Sequence, residues 1–242
     1  MTAHVPDVGR LSEAVLRPAT ANVFETTVEQ LATAIRLGVF VDGEQLPPER
    51  DLAERLGVAR NTLRDAIAAL RESGLVATRR GRGGGTVVTY VTPEPGSGPV
   101  PVRRGAALAD ALDFRRIVEP GGAWLAARQN LAGDQRSWLV DSAAAVWAAP
   151  DSGAHRIADS RFHLAVATLS ASPMLIESVT RAQAALGEML GAIPVLPRNI
   201  THSCEQHDAV VAAILGGDAD TARAAMEEHC DATSALLRGL IG

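Results

Sequence analysis

The chain has 242 residues, 47% of them apolar, with 23 basic residues against 28 acids and a formal net charge of −5. That is room for two ordinary domains with apolar cores, and a net charge of this sign would not by itself draw the molecule to a polyanion. There is no apolar run of transmembrane length, no recognisable signal peptide, and only Cys204 and Cys230, too few for a disulfide framework, so the chain reads as a soluble cytoplasmic protein that contacts no membrane.

Residues 1–21 lack a sustained period and are expected to form a loose arm. Phe24, Val28, Leu31 and Ile35 then recur at helical spacing and predict a first helix that ends at Gly38. From Leu46 to Tyr90 the pattern is more specific. Leu52, Ala53 and Leu56 give a short helix an apolar face, and Gly57-Val58-Ala59 make a tight turn. A second helix opens with Arg60, Asn61, Thr62 and Arg64, while Leu63, Ile67 and Leu70 face inward. Leu75–Arg80 and Thr86–Val91 read as a hairpin with Gly81–Gly85 at its tip. Residues 22–92 are therefore expected to form a winged helix-turn-helix.

Charge placement supports a nucleic-acid role for that unit. From Arg60 to Arg82 there are six Arg against Asp65 and Glu72, whereas Ala21 to Thr92 as a whole is balanced at nine Arg and nine acids. The excess positive charge sits on the second helix and the wing, where phosphates would be neutralised and base edges read. Asn61 and Thr62 can reach phosphates or bases, and Arg60 and Arg64 can fork onto guanine.

Residues 93–105 include Pro93, Pro95, Pro99 and Pro101 and read as a semi-extended linker. From 106 to 242 every period is helical: a long segment over 108–129 with a kink or break at Pro120-Gly121-Gly122, then helices near 134–149, 154–170, 173–191, 201–215 and 218–240. Ser172-Pro173 supplies an N-cap and first turn. The predicted architecture is mainly α, an N-terminal winged helix-turn-helix followed by a C-terminal all-α bundle. That bundle is acidic, with ten Arg against sixteen acids.

Asp159 and His163 are four residues apart and share a helix face. His207 lies nine residues before Gly216, and His229 nine after Asp220. If the chain reverses between them, the two imidazoles meet at the same level, about 13 to 14 Å from the turn. Three His and a carboxylate converging in a bundle suit a divalent ion such as Zn²⁺, with Ni²⁺ and Mn²⁺ as alternatives. The competing explanation is a satisfied core histidine at 163 and an exposed helix-end residue at 229. Cys204, three residues before His207, is either a competing soft ligand or, like Cys230, a small buried hydrophobe. His4, His155 and His202 are assigned to surface or loop positions. A metal enzyme would need a general base, and Glu205 falls on a different helix face from His207; no nucleophile motif appears, so no catalytic residue is assigned.

Taken together these residues resemble the GntR family of bacterial transcription regulators, in its FadR-type branch with an all-helical FCD ligand-binding domain. The resemblance rests on Leu46-Pro47-Pro48-Glu49-Arg50, Leu52 to Val58, Arg60 to Arg64, Leu70 to Leu75 and the Gly-rich wing Gly81 to Gly85. It implies operator contacts from Arg50, Arg60, Thr62, Arg64 and the wing residues around Gly81 and Arg82, to which the polar start of the second helix adds Asn61 and the wing adds Arg80. It also implies metal ligation by Asp159, His163, His207 and His229. The segment Asp113 to Pro120 resembles the helix that opens the FCD domain, where Arg115 is either a bidentate clamp for a carboxylate effector or the structural partner of Glu119. The family likeness further implies a homodimer on a near-palindromic double-stranded operator, and repression that a small organic acid relieves. The alternative is a constitutive DNA binder whose metal is structural. Two departures stand out: Pro48 and Ala59 occupy helix N-caps where the family usually has a hydroxyl, a loss of about 1 kcal/mol at such a site.

Overall fold

The computed structural model describes residues 23–79, 81, 84–92, 103–193 and 196–241. The expected arm, the Pro-rich segment 93–101, Arg80 and Arg82 lie outside the described residues. The chain divides into two compact units with the boundary between Thr92 and Pro93.

In the first unit α1 (Val23–Arg36), α2 (Glu49–Leu56) and α3 (Arg60–Glu72) precede β1 (Val76–Arg79) and β2 (Gly85–Val88). The three apolar stripes meet as their spacing requires: Leu31 and Ile35 of α1, Leu52 and Leu56 of α2, and Leu63, Ile67 and Leu70 of α3 are all buried. Phe40 and Val39, just past α1, complete this core. Gly57 closes α2 in the left-handed region, at φ 64°, which a side chain would resist. That cap lets the chain turn at once into α3. Neither Pro48 nor Ala59 offers a side-chain cap to the helix it precedes. The wing is an antiparallel pair in the register Val76 with Val88 through Arg79 with Gly85, and Gln45 adds an isolated bridge to Val87. The strands are shorter than the spacing predicts.

The second unit contains α4 (Ala106–Ala127), α5 (Gly133–Trp147), α6 (Ser152–Leu169), α7 (Pro173–Gly191), α8 (Pro197–Gly216) and α9 (Ala219–Ile241). No strand occurs among its described residues. Ser172 caps α7 through the Leu175 amide, as expected from Ser-Pro. Of the kink or break expected at Pro120-Gly121-Gly122, the break does not occur: α4 runs on through Pro120 as one helix. It packs against α6, α7, α8 and α9 and is buried along its length, from Leu108 to Ala127. Burial on so many sides outweighs the one backbone bond that proline removes. Gly122 lies where α4 crosses α6, and a Cβ there would meet the Ala167 backbone at 3.8 Å. No helix among the described residues is long and apolar enough to cross a membrane.

Candidate functional site

The recognition surface is built on the first turn of α3. Its inward residues are fixed in the core, so Arg60, Asn61 and Arg64 are left exposed, with Thr62 partly so. Arg64 Nε donates to Glu49 Oε2 at 2.8 Å, tying α3 to the start of α2, and Arg50 Nε donates to Asp51 at 3.1 Å. Both pairs are solvent-exposed and so worth only about 0.2–1 kcal/mol each, a modest obstacle to exchanging carboxylate for phosphate. Gly81 is exposed at the wing tip with φ 105°.

In the second unit the four residues singled out by spacing are brought together. Asp159 and His163 come from α6, His207 from α8 and His229 from α9, all buried. One ring nitrogen from each histidine lies within 4.8 Å of the others. The His207 and His229 ring centres are 4.6 Å apart, so the Gly216–Asp220 reversal does align them. Asp159 places one oxygen 3.6 Å from His207 Nε2 and the other 3.9 Å from His163 Nε2. Burial, opposed in part by Asp159, pushes the His207 imidazole down to about 3. Burial, with His207 and Arg115 acting in the same sense, lowers His229 well below its ordinary value. Both rings are therefore neutral, as a ligand nitrogen must be. His207 Nδ1, His207 Nε2 and His163 Nε2 are buried without a hydrogen-bond partner. Neutral imidazoles with idle lone pairs beside a carboxylate are a donor set that fits a divalent cation.

Three further side chains complete the site. Glu119 is fully buried: Oε1 accepts from Arg115 Nε at 3.1 Å and from the Gln183 amide at 2.6 Å. Its Oε2 lies 2.8 Å from His163 Nδ1, a short charge-assisted contact although the ring N–H is poorly aimed at it. Burial alone would raise this carboxyl, but the Arg115 guanidinium, His163 and the Gln183 amide hold it at about 2. Gln206 Oε1 lies 3.2 Å from His229 Nδ1. Partners of this kind fix ring orientation at metal centres. Sequence reasoning weighed Glu119 only as a partner for Arg115 and missed Gln183 and Gln206. The available signal was a charged i,i+4 pair, Arg115 and Glu119, continuing the apolar stripe of Leu108 and Leu112 along one helix face.

Arg115 does form the ion pair with Glu119, yet its Nη1 is buried and unpartnered and the residue lines a cavity shared with Asp159, Gln206 and His229. His202, exposed as expected, and the half-buried His155 also line that cavity, both from helices rather than loops. Cys204 and Cys230 are buried free thiols outside the ligand group, raised by burial to about 11 and about 12. Glu205 is exposed, so no general base stands at the cluster from that position.

Comparison with known proteins gives concordant matches. The family described as bacterial regulatory proteins, gntR family, matches residues 24–88, and the FCD domain matches residues 110–232. A protein of Escherichia coli K12, provisionally named L-lactate dehydrogenase operon regulatory protein, is 34% identical over 208 residues, covering 77% of this chain and 75% of that protein. The Uxu operon transcriptional regulator of the same strain is 29% identical over 199 residues, covering 78% and 76%. Among solved structures, E. coli McbR/YncC superposes with a TM-score of 0.54 at 20% identity, covering 91% of this chain and 99% of that one, a likeness of fold.

Proposed function

Because this chain belongs to the GntR family of bacterial regulatory proteins and carries an FCD domain, we propose that it is a metal-containing repressor whose hold on its operator is released by a small carboxylate. The chain is a DNA-binding transcription regulator and not an enzyme. The finer reading rests on one observation above all: three buried histidines, two of them with idle ring nitrogens, converge beside Asp159, and His229 and Asp159 also line a cavity with Arg115, whose Nη1 is buried without a partner.

Asp159, His163, His207 and His229 would hold the ion, with Zn²⁺ the best fit to nitrogen-rich ligation and Ni²⁺ or Mn²⁺ as alternatives. Once bound, the ion supplies a fixed positive charge that a carboxylate can ligate. Arg115 supplies the second anchor through Nη1 while Glu119 holds its Nε. His163 is kept in place by Glu119, and His229 by Gln206. Outside the bundle, two copies of α3 in a homodimer read two half-sites of a near-palindrome through Arg60, Asn61, Thr62 and Arg64. Arg50, Arg80, Gly81 and Arg82 contact the flanking backbone.

The test is metal content by mass spectrometry on the purified chain and on His207→Ala, with operator binding measured in each. About one equivalent per chain in the parent, lost in the variant together with thermal stability, is the expected result. Equal metal in both would remove the proposed centre. Operator affinity indifferent to metal and to every small acid would leave a constitutive DNA binder with a structural ion.

A further inference from the structure

Polar side chains line the cavity well beyond the histidine cluster itself. Arg156, seven residues before His163 on α6, and His202, five before His207 on α8, both belong to its lining. Each stands about 8 to 11 Å along its helix from the imidazole, toward that helix's N-terminus. Ser203 and Thr233 line the cavity as well, and Thr233 Oγ1 donates to the His229 carbonyl at 3.1 Å, which leaves its lone pairs able to accept. The charge of the site is a second, independent observation. Asp159 is the one carboxylate among the described lining residues, and Glu119 is engaged by Arg115. Ligation by Asp159 and neutral imidazoles would add a divalent ion to this set. The ion and the guanidinium groups of Arg115 and Arg156 then exceed the carboxylates of Asp159 and Glu119 by two charges.

We propose that the effector is a short dicarboxylate, one carboxylate at the ion and Arg115 and the other toward Arg156 and His202. The inference rests on the carboxylate reading above and narrows it. A monocarboxylate would balance only half of the surplus, and charge left over in a partly buried site is disfavoured. A phosphorylated acid would carry about three charges, one more than the site balances. Leu186 and Leu190 line the same cavity and suit the few methylenes that join two carboxylates, while Ser203 and Thr233 can accept from a hydroxyl on that chain.

The experiment is calorimetric titration of the Zn²⁺-loaded full-length protein with succinate and glutarate, each against the monocarboxylate of equal length, butyrate and pentanoate, with metal content checked after every titration. Equal length makes the ratio within a pair a measure of the second carboxylate alone. The better dicarboxylate should bind about tenfold more tightly than its partner, the low end for a charged hydrogen bond because Arg156 is only half-buried. Arg156→Met and His202→Ala should each narrow that ratio, which is read within one protein so that a general loss of binding cancels. Monocarboxylates that bind as tightly as both dicarboxylates, or a full dicarboxylate preference in Arg156→Met, would overturn the second anchor while leaving the carboxylate site standing. Failure of every acid to bind would overturn both readings together.

Discussion

Glu119→Gln is the most informative single change, because one buried carboxylate serves both halves of the proposed site. Glutamine keeps the shape and can still accept from the Arg115 Nε or from His163 Nδ1, but it removes the charge that balances a fully buried guanidinium. Leaving one member of a buried ion pair without its partner costs about 3–5 kcal/mol, set against a total stability of about 5–15 kcal/mol for a domain. All three tryptophans, Trp124, Trp138 and Trp147, lie in the second unit, so selectively excited tryptophan fluorescence reports that unit alone. With a urea slope of about 2 kcal/mol per molar, the midpoint of the metal-free protein should fall by about 2 M. Metal affinity should fall about 10- to 100-fold, since a ligating histidine loses its charged partner. The double variant Glu119→Gln, Arg115→Met should recover part of the lost stability but none of the metal affinity. A single variant that melts like the parent and binds metal equally well would refute the reasoning, for it would mean that Glu119 neither balances Arg115 nor orients His163.

Acid should destabilise the metal-free second unit before it protonates the carboxylates. His207 is held at about 3 by burial, below its unfolded value, so under pH 6.5 the unfolded chain binds the extra proton and stability declines as pH falls. At pH 5 His207 alone should cost about 2 kcal/mol relative to pH 7.5, read from urea melts followed by tryptophan fluorescence; equal midpoints would show that the imidazole is not held neutral by the fold. Arg60→Ala should weaken operator binding by about 1–3 kcal/mol with an unchanged circular dichroism spectrum, and unchanged fluorescence anisotropy titrations would remove Arg60 from the readout. Metal and a small carboxylate such as acetate should strengthen one another by the same factor, because coupling between two binding equilibria is reciprocal; calorimetry of each in the presence and absence of the other measures it, and independent binding would separate the anion from the ion.

The first unit was almost fully legible because each of its elements carries a local signal. The apolar spacing of Leu31, Ile35, Leu52, Leu56, Leu63 and Leu70 specifies which faces are buried, and Gly57 marks the turn by its conformation. The histidine cluster was legible for a different reason: equal offsets of His207 and His229 from one chain reversal place them level on antiparallel helices. Pro120 does not end α4 because proline reports a local preference, whereas α4 is held by packing on several sides. Glu119 and Gln183 are 64 residues apart and meet only through tertiary packing, so no periodicity announces them. Leu186, Leu190, Ile193 and Leu236 carry only helical spacing, and only the assembled bundle shows that they line a cavity.

The polar interior of the bundle also bears on why this domain would sense anything. Arg115 Nη1, His163 Nε2, His207 Nδ1 and Nε2, Gln183 Oε1 and Gln206 Nε2 are all buried and unpartnered, and they belong to one neighbourhood. Each such group costs about 1–3 kcal/mol relative to a satisfied one, so an isolated bundle with this interior is less stable than an apolar one of equal size. Leucines could occupy these positions and remove the penalty; the same helices pack Leu108, Leu112 and Leu237 within about two turns. The penalty is instead concentrated where a cation would satisfy the ring nitrogens and an anion the guanidinium. Binding then finishes the core rather than adding to a finished one. Stability of the second unit becomes a function of ligand concentration, and any arrangement that the filled core favours over the empty one is populated by the same free energy.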